Sequence, residues 1–170
     1  MDTGVTFEEY VTLRGPALVR FARLLSRDGE LGEDLAQEVL ARAYPRWGSI
    51  GRMDHPDVYL RRMLVNARHS WWRRRSSHEV IGLPATDRAS TVRVDTEVAE
   101  RDRLWRLIRV LPTNQRACVV LRYYEDLDDV TIGEIVGCSP ITVRTHVMRA
   151  LASLRQRLGD PAEPSTRSPR

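Results

Sequence analysis

The sequence predicts an all-α protein of two small helical domains joined by a flexible linker, the second domain being a helix-turn-helix domain. Three observations predict this fold. Apolar residues recur at steps of three and four, residues 79–97 interrupt that period with glycine, proline and small polar residues, and a Gly-Cys-Ser turn joins two helical segments near the end. The predicted domains are 1–78 and 98–158, followed by a proline-rich, disordered tail at 159–170.

The first domain contains a helix predicted over about 31–47. Its buried side follows apolar residues at intervals of four. These residues are Leu35, Val39, Ala43 and Trp47. Another side carries a polar stripe, which is typical of a solvated face. The stripe consists of Asp34, Gln37, Glu38 and Arg42.

A second helix of this domain is predicted from about Asp57 to Arg75. Its buried side repeats at steps of four, three and four. That side consists of Leu60, Leu64, Ala67 and Trp71. The opposite side forms a continuous row of hydrogen-bond donors. The row consists of Arg62, Asn66, His69 and Arg73.

The end of this helix, HSWWRRR, places two indoles beside three successive guanidinium groups. Single-stranded nucleic acid is held by this combination, because aromatic rings stack on bases while cations follow the backbone. We therefore interpret Trp72, Arg73 and Arg74 as a surface for single-stranded nucleic acid. The alternative interpretation makes Trp71 a core residue and Trp72 a filler of the amphipathic helix. We accept it for Trp71, which lies on the apolar stripe, and leave it open for Trp72.

The helix-turn-helix is predicted at residues 131–158. Its first helix would bury apolar residues and end at Gly137, which can adopt the left-handed conformation. Those apolar residues are Ile132, Ile135 and Val136. Ser139 is a good N-cap for the second helix, and Pro140 suits the first helical position.

The second helix of this motif has one apolar and one basic side. The apolar side contains Val143, Val147, Leu151, Leu154 and Leu158. Other residues point away from it, toward the groove of a bound duplex. They are Ile141, Arg144, Thr145, Met148 and Arg149. An ordinary helical hairpin in a core is the alternative, and the coincidence of the turn with a basic outer side favours the DNA-binding interpretation.

Positive charge is concentrated in two places. The net charge is +4, and residues 61–78 contain six arginines and no acidic residue. Residues 131–170 contain six arginines against three acidic residues. Two separated basic surfaces predict two contacts with a polyanion. All 27 basic residues are arginine, which favours bidentate contact with phosphates and guanine edges, although genomic base composition produces the same bias.

The sequence predicts neither a cofactor nor a metal site. Cys118 and Cys138 lack the spacing of metal ligands, so buried thiols are expected. No apolar run approaches the length of about 20 residues that a membrane helix needs, and the acidic N-terminus is unlike a secretory signal. We therefore expect a cytoplasmic protein without a membrane partner.

Four motifs in this order resemble a bacterial sigma factor of the extracytoplasmic-function type, a group of small two-domain initiation factors of RNA polymerase. The resemblance spans nearly all of the chain from Phe7 to Leu158. The motifs are EDLAQEVLARAYPRW at 33–47, YLRRMLVNARHSWWRRR at 59–75, LPTNQRACVVLRYYEDL at 111–127 and the segment 131–158.

The resemblance implies a role for each motif. The first domain would bind the clamp helices of the polymerase's largest subunit through Asp34, Gln37, Glu38 and Arg42, which replaces the interpretation of a solvated face. The next helix and its preceding loop, about Ile50 to Val58, would capture an unstacked base of the −10 element. The −10 residues would be Arg62, Asn66, His69, Trp72, Arg73 and Arg74.

The second domain would read the −35 element as duplex DNA, while the motif at 111–127 packs beneath it and meets the polymerase flap. The −35 residues would be Thr142, Arg144, Thr145, Met148 and Arg149. The implied partners are core RNA polymerase and promoter DNA. Family members are commonly held inactive by an anti-sigma factor, and nothing in this chain identifies one.

The sequence departs from the common family pattern within the helix-turn-helix. Pro140 and Ile141 replace a small pair that often ends in glycine, His146 replaces a frequent arginine, and Gly133 replaces a small helix former. We therefore transfer no base preference from the family to this chain.

The sequence leaves two alternative functions to compare with that of a sigma factor. A helix-turn-helix repressor or activator would use residues 1–78 as a regulatory domain, but leaves the donor row of the first domain idle. A nuclease would need clustered carboxylates or histidines. The densest acidic group, Asp126, Asp128 and Asp129, is better interpreted as a turn between helices. We therefore predict a protein that is not an enzyme.

Overall fold

The computed structural model describes residues 4–78 and 96–159 of the 170-residue chain. The described residues form helices joined by short turns, with no strand among them. The α-helices are α1 Phe7–Leu25, α2 Gly29–Ala43, α3 Trp47–Ile50, α4 Pro56–His78, α5 Thr96–Arg109, α6 Thr113–Tyr123, α7 Asp129–Val136 and α8 Pro140–Gly159, with a 3₁₀ turn at Tyr44–Arg46. The prediction of an all-α fold is thereby confirmed.

Helices α1, α2 and α4 form the first region. A capping box begins α1, because the Thr6 side chain accepts from the Glu9 N–H and the Glu9 carboxylate accepts from the Thr6 N–H. Between α1 and α2 the backbones approach closely at Gly32, where a Cβ atom would lie 2.6 Å from the Cα of Arg23. Glycine is therefore required at this crossing.

The predicted helix over 31–47 is divided in the structure. Helix α2 ends at Ala43 and a 3₁₀ turn follows, because Pro45 has no N–H with which to continue the hydrogen bonds of the helix. Trp47 is still buried, as predicted, and its Nε1 donates to the Val5 carbonyl at 2.8 Å. Helix α3 therefore completes the core that α2 begins.

The second region is formed by α6, α7 and α8, with α5 packed against α8. Gly137 adopts the left-handed conformation predicted for it, with φ of 79°, and Pro140 begins α8. The Thr142 N–H donates to Ser139 Oγ at 3.2 Å, which is the predicted cap. The turn of the helix-turn-helix therefore forms from local chemistry.

Four details of the sequence prediction are corrected. Helix α5 begins at Thr96, inside the predicted linker, and α4 continues beyond Arg75. Gly159 belongs to α8 rather than to the predicted tail. Leu158 is half-exposed, because it lies in the last turn of α8 beyond the helices that cover Leu154. The rest of the predicted linker and tail, residues 79–95 and 160–170, lies outside the described residues.

The two regions pack against each other. Helix α1 contacts α6, and α4 contacts α7. Arg61 in α4 has almost no exposed surface and forms an ion pair with Glu125 in the turn that precedes α7. The described conformation therefore joins the two regions across a shared interface.

Candidate nucleic-acid interface

The donor row on α4 is present, but its residues differ in exposure. Arg62, Asn66 and Arg73 are exposed, while His69 is half-buried. Arg73 is held near the helix surface by a hydrogen bond from its Nη2 to Ser70 Oγ at 3.2 Å. The spacing predicted from the sequence therefore places these side chains along one side of a helix.

An aromatic platform lies at the C-terminal part of this row. The guanidinium carbon of Arg68 lies 5.2 Å from the ring centre of Trp71 and 5.5 Å from that of Trp72. These distances are within the range of cation–π contacts. Trp72 is 52% exposed, whereas Trp71 is partly buried against the core. Trp72 therefore offers ring surface to a ligand while Arg68 supports it from beneath.

Two arginines of the basic stretch 61–78 are not on its surface. Arg61 and Arg68 have relative exposures of 5% and 3%, so the six-arginine count overstates the exposed charge. They lie seven residues apart, two helical turns, beside the apolar stripe of Leu60 and Leu64. Their place next to this stripe is the sequence signal that could have predicted their burial. Their burial was not among the sequence predictions.

Arg61 is the centre of a polar network between the two regions. Its guanidinium group pairs with Asp57 one turn earlier and donates from Nη2 to Glu125 at 2.7 Å. The Tyr10 hydroxyl donates to the same Asp57 carboxylate at 2.8 Å. Burial raises the pKa of Tyr10 to about 12, although Arg61 and Arg14 act in the opposite direction.

The outer side of α8 is exposed at its N-terminal half. Ile141 and Met148 are 72% and 66% exposed, and Arg144 and Arg149 are also exposed. The Nε of Arg144 donates to Asp129 at 2.9 Å, and Asp129 also pairs with Arg122. Asp129 therefore orients Arg144 at the start of α7 while leaving most of its side chain accessible.

The remaining residues predicted on this side of α8 are less accessible. Thr142 is half-buried and bonded to Ser139, and Thr145 donates its hydroxyl to the Ile141 carbonyl at 3.1 Å. His146 is also half-buried, and burial, followed by the charge of Arg149, lowers its pKa. The exposed outer side of α8 is therefore formed mainly by its long side chains.

One end of the α4 row faces the helix-turn-helix. Arg62 and the turn between α7 and α8 line a cavity of about 430 Å³. The other lining residues are Val130, Gly133, Glu134, Gly137, Cys138 and Pro140. In the described conformation Arg62 is exposed but faces the turn of the helix-turn-helix across this cavity, whereas the Trp72 end of the row faces away from any such cavity.

The polar stripe on α2 lies on the surface of the first region. Asp34, Gln37 and Arg42 are exposed, and Glu38 is half-buried. Glu38 and Arg42 form an ion pair one helical turn apart, at 2.5 Å. The structure therefore places all four predicted residues on accessible parts of one helix.

The cysteines and the other titratable groups form no further site among the described residues. Cys118 is buried and Cys138 is partly buried, both as free thiols. Burial raises the pKa of the Cys118 thiol to about 12. Within residues 4–78 and 96–159 no group of histidine, cysteine and carboxylate side chains could hold a metal ion, and no helix could span a membrane.

The helix-turn-helix and the exposed basic face of α4 define a helical DNA-binding protein of two regions. Two family models cover most of the chain: sigma-70 region 2 matches residues 10–78, and sigma-70 region 4 matches residues 101–154. The chain is 40% identical over 160 residues to the RNA polymerase sigma-E factor of Streptomyces coelicolor, covering 93% of this chain and 89% of that protein. It is 32% identical to the ECF RNA polymerase sigma factor SigM of Mycobacterium tuberculosis, covering 84% of this chain and 71% of that one.

The chain therefore belongs to the extracytoplasmic-function group of the sigma-70 family. As a sigma factor, it serves transcription initiation by RNA polymerase. The order of the two family matches agrees with the order of the motifs on which the resemblance in the sequence was based.

Solved structures support the fold. The sigma factor RpoE of Bartonella quintana, in complex with the anti-sigma factor NepR, is similar with a TM-score of 0.70 at 24% identity, covering 93% of this chain and 98% of that chain. CnrH in complex with the cytosolic domain of CnrY is similar with a TM-score of 0.61 at 20% identity, covering 90% of this chain and 87% of that chain.

Proposed function

We propose that this sigma factor reads the −35 element as duplex DNA with α8 and captures the melted −10 strand with α4. The observation that carries the proposal is the presence, in one chain, of an exposed outer side of α8 that carries arginines and of an exposed arginine and tryptophan surface on α4. A protein that recognises only duplex DNA would not need the arginine and tryptophan surface on α4.

The −35 contact uses the long exposed side chains of α8. Arg144 and Arg149 are suited to guanine edges or phosphates, and Met148 is suited to apolar contact with a thymine methyl group. Thr142 and Thr145 have short, half-buried side chains, so they would contact only DNA groups that come close to the backbone of α8. Asp129 supports this interpretation, because it orients Arg144 without burying it.

The −10 contact uses the row on α4. Opening DNA costs stacking of about 1.4 kcal/mol per base step, so a protein without ATP must offset that cost by binding the separated strand. The indole of Trp72 supplies a stacking surface, which contributes about 1–3 kcal/mol per base. Arg62, Arg73 and Arg74 follow the phosphates, while Asn66 and His69 supply hydrogen bonds to a base.

The polymerase contact uses α2 and the helices of the second region. Asp34, Gln37, Glu38 and Arg42 would bind the clamp helices of the largest subunit, and α6 would meet the flap. Because Arg62 and the turn of the helix-turn-helix line the same cavity, we infer that the two regions separate when promoter DNA and polymerase bind.

The chain would act as an initiation factor without catalytic chemistry of its own, in the cytoplasm where the polymerase works. RpoE was solved with the anti-sigma factor NepR, so an anti-sigma factor is proposed as a regulator of this chain as well. Such a partner would favour a conformation in which the promoter-binding residues are covered.

Run-off transcription with purified core polymerase tests the proposal. The template is a promoter recovered by mapping transcript starts after overexpression of the chain. We expect promoter-dependent transcripts only when the chain is added. Failure to copurify with polymerase, or binding to intact duplex alone, would instead favour the repressor function.

A second experiment isolates strand capture. Templates with a permanently unpaired −10 region are compared with fully paired templates, using the polymerase complex of each variant. Trp72→Ala should weaken binding to the unpaired template by about tenfold, in line with the loss of one stacked base, while Trp72→Phe should retain most of it. Equal binding by the Ala variant and the unmodified chain would exclude Trp72 from the −10 contact.

A further inference from the structure

The interface between the two regions contains arginines without compensating acids. Arg116 in α6 is fully buried and Arg68 in α4 is 3% exposed. Arg27, directly after α1, acts electrostatically on both of them, and Arg109, at the end of α5, acts on Arg116. Among the described residues no carboxylate contributes to the electrostatics of either buried arginine.

Both buried guanidinium groups have unused hydrogen-bond donors. Arg116 donates from Nη1 to the Arg109 carbonyl at 2.8 Å, but its Nε and Nη2 have no partner. Those two atoms form one bidentate edge of a guanidinium group, the arrangement that binds oxyanions best. In Arg68 the Nε and Nη1 atoms are likewise unpaired, and so is the buried hydroxyl of Ser26, which precedes Arg27.

The charge of Arg116 persists near neutral pH. Burial, followed by the neighbouring arginines, lowers the pKa of Arg116 to about 9, so its cationic form still dominates at pH 7. Buried charges in proteins are paired, because the desolvation cost of an unpaired ion is large. Water could satisfy the donors, but only an anion would also neutralise the charge.

We propose that Arg68 and Arg116, with the Ser26 hydroxyl and the flanking Arg27, form a binding site for a phosphate-class oxyanion between the two regions. A tetrahedral dianion matches two buried guanidinium groups in charge, and its oxygens are acceptors for the unpaired edge of Arg116 and for unpaired donors of Arg68 and Ser26. Helix α1 packs against both α4 and α6, so the site joins the first region to the second. The anion therefore stabilises the packed conformation of the chain.

Thermal unfolding of the full chain in inorganic phosphate, compared with chloride at matched ionic strength, tests this proposal. A saturable rise in Tm is expected, of about 4 °C at a tenfold excess of phosphate over its Kd. Adenosine monophosphate, used as a second probe, distinguishes the two sources of a phosphate group. An equal rise in Tm indicates that a terminal phosphate group of a larger molecule suffices, and no rise in Tm indicates that the site takes free phosphate. Both results support the phosphate class.

Variants assign the effect to the site. Arg68→Gln and Arg116→Gln should abolish the phosphate-dependent rise, while the exposed Arg20→Gln in α1 should retain it. Arg68→Gln removes a like charge and also the cation–π contacts with Trp71 and Trp72, so each variant is compared with itself in the presence and absence of phosphate. Circular dichroism checks folding, and Arg68→Gln decides the test if Arg116→Gln does not fold.

Three results would overturn the proposal. They are a Tm that does not rise in phosphate, a Tm that rises equally in chloride at the same ionic strength, and a phosphate-dependent rise in Tm that both glutamine variants retain. An equal rise in chloride would show general screening of the arginines rather than a site.

Discussion

Arg61 in region 2 donates from Nη2 to the Glu125 carboxylate in region 4 at 2.7 Å, and both side chains are largely buried. The contact joins residues 64 positions apart across the interface between the two regions. Asp57 pairs with the same guanidinium group from within α4, so Arg61 keeps one acidic partner when the regions separate. Glu125 is therefore the residue of this network whose loss acts specifically on the packed conformation.

Glu125→Gln should weaken the packing of the two regions. The glutamine can still accept a hydrogen bond from Arg61, but the largely buried ion pair is lost. We therefore expect a loss of about 2 kcal/mol in the stability of the packed form. Small-angle scattering of the free chain should then detect a larger radius of gyration. Asp126→Asn, which removes the same charge from the exposed neighbouring residue, is the control and should leave the radius unchanged. An equal radius in Glu125→Gln would mean that other contacts hold the regions together.

Much of the fold could be predicted from the sequence because it depends on local chemistry. The left-handed Gly137, the Ser139 cap and Pro140 define the turn of the helix-turn-helix without help from the rest of the chain. The apolar period likewise identified buried residues such as Leu35 and Leu64, because these positions face the core of their own region.

The part that could not be predicted depends on packing between the regions. Arg61, Arg68 and Arg116 are buried because region 4 covers region 2, and the period of a single helix does not report which side a distant helix will cover. The same packing explains why Arg62, predicted at the start of an open row, instead faces the cavity beside the helix-turn-helix.

Gly133→Ala should destabilise the helix-turn-helix. A Cβ atom at Gly133 would lie 2.6 Å from the Cys138 carbonyl oxygen, so the turn would have to move. We expect a loss of about 1–3 kcal/mol in the free energy of unfolding, measured with urea. Gly29→Ala is the control, because a Cβ there meets nothing within 4 Å. A stability equal to that of the unmodified chain would show that the turn adapts without cost.

Tyr10→Phe should reduce the dependence of stability on alkaline pH. The pKa of Tyr10 is raised from 10.0 to about 12 by burial, so its contribution is fully present below pH 10 and is lost as the pH rises through 12. Loss of the hydrogen bond to Asp57 should also cost about 2 kcal/mol at pH 8. Urea denaturation between pH 8 and pH 11 measures both effects.

The exposed Tyr44→Phe is the control for this series and should retain the original slope. Cys118, whose pKa burial also raises to about 12, keeps part of the slope in both variants. A slope in Tyr10→Phe that equals that of Tyr44→Phe would contradict the assignment to Tyr10.

Arg73→Gln should weaken promoter binding to the same extent on every sequence if the side chain contacts a phosphate. The slope of log K against log salt should fall in magnitude by about 0.7 for a contact on single-stranded DNA, or about 0.9 on duplex. Binding of the polymerase complex at several salt concentrations measures it. Arg20→Gln, on the exposed surface of α1, should leave the slope unchanged. The same slope in Arg73→Gln would place this arginine away from the DNA.

Arg144→Gln should change selectivity among −35 sequences rather than affinity for all of them. The Nε of Arg144 donates to Asp129 at 2.9 Å while the Arg144 side chain stays 66% exposed, so the side chain is oriented and still accessible to DNA. A bidentate contact with a base edge contributes about 1–3 kcal/mol to discrimination, so the preferred base at one position should lose about tenfold or more in relative affinity. Competition binding with a set of single-base −35 variants measures this, with Arg157→Gln near the end of α8 as the control. An equal loss on every −35 variant would mean that Arg144 contacts a phosphate, and Arg149 would then become the candidate for base recognition.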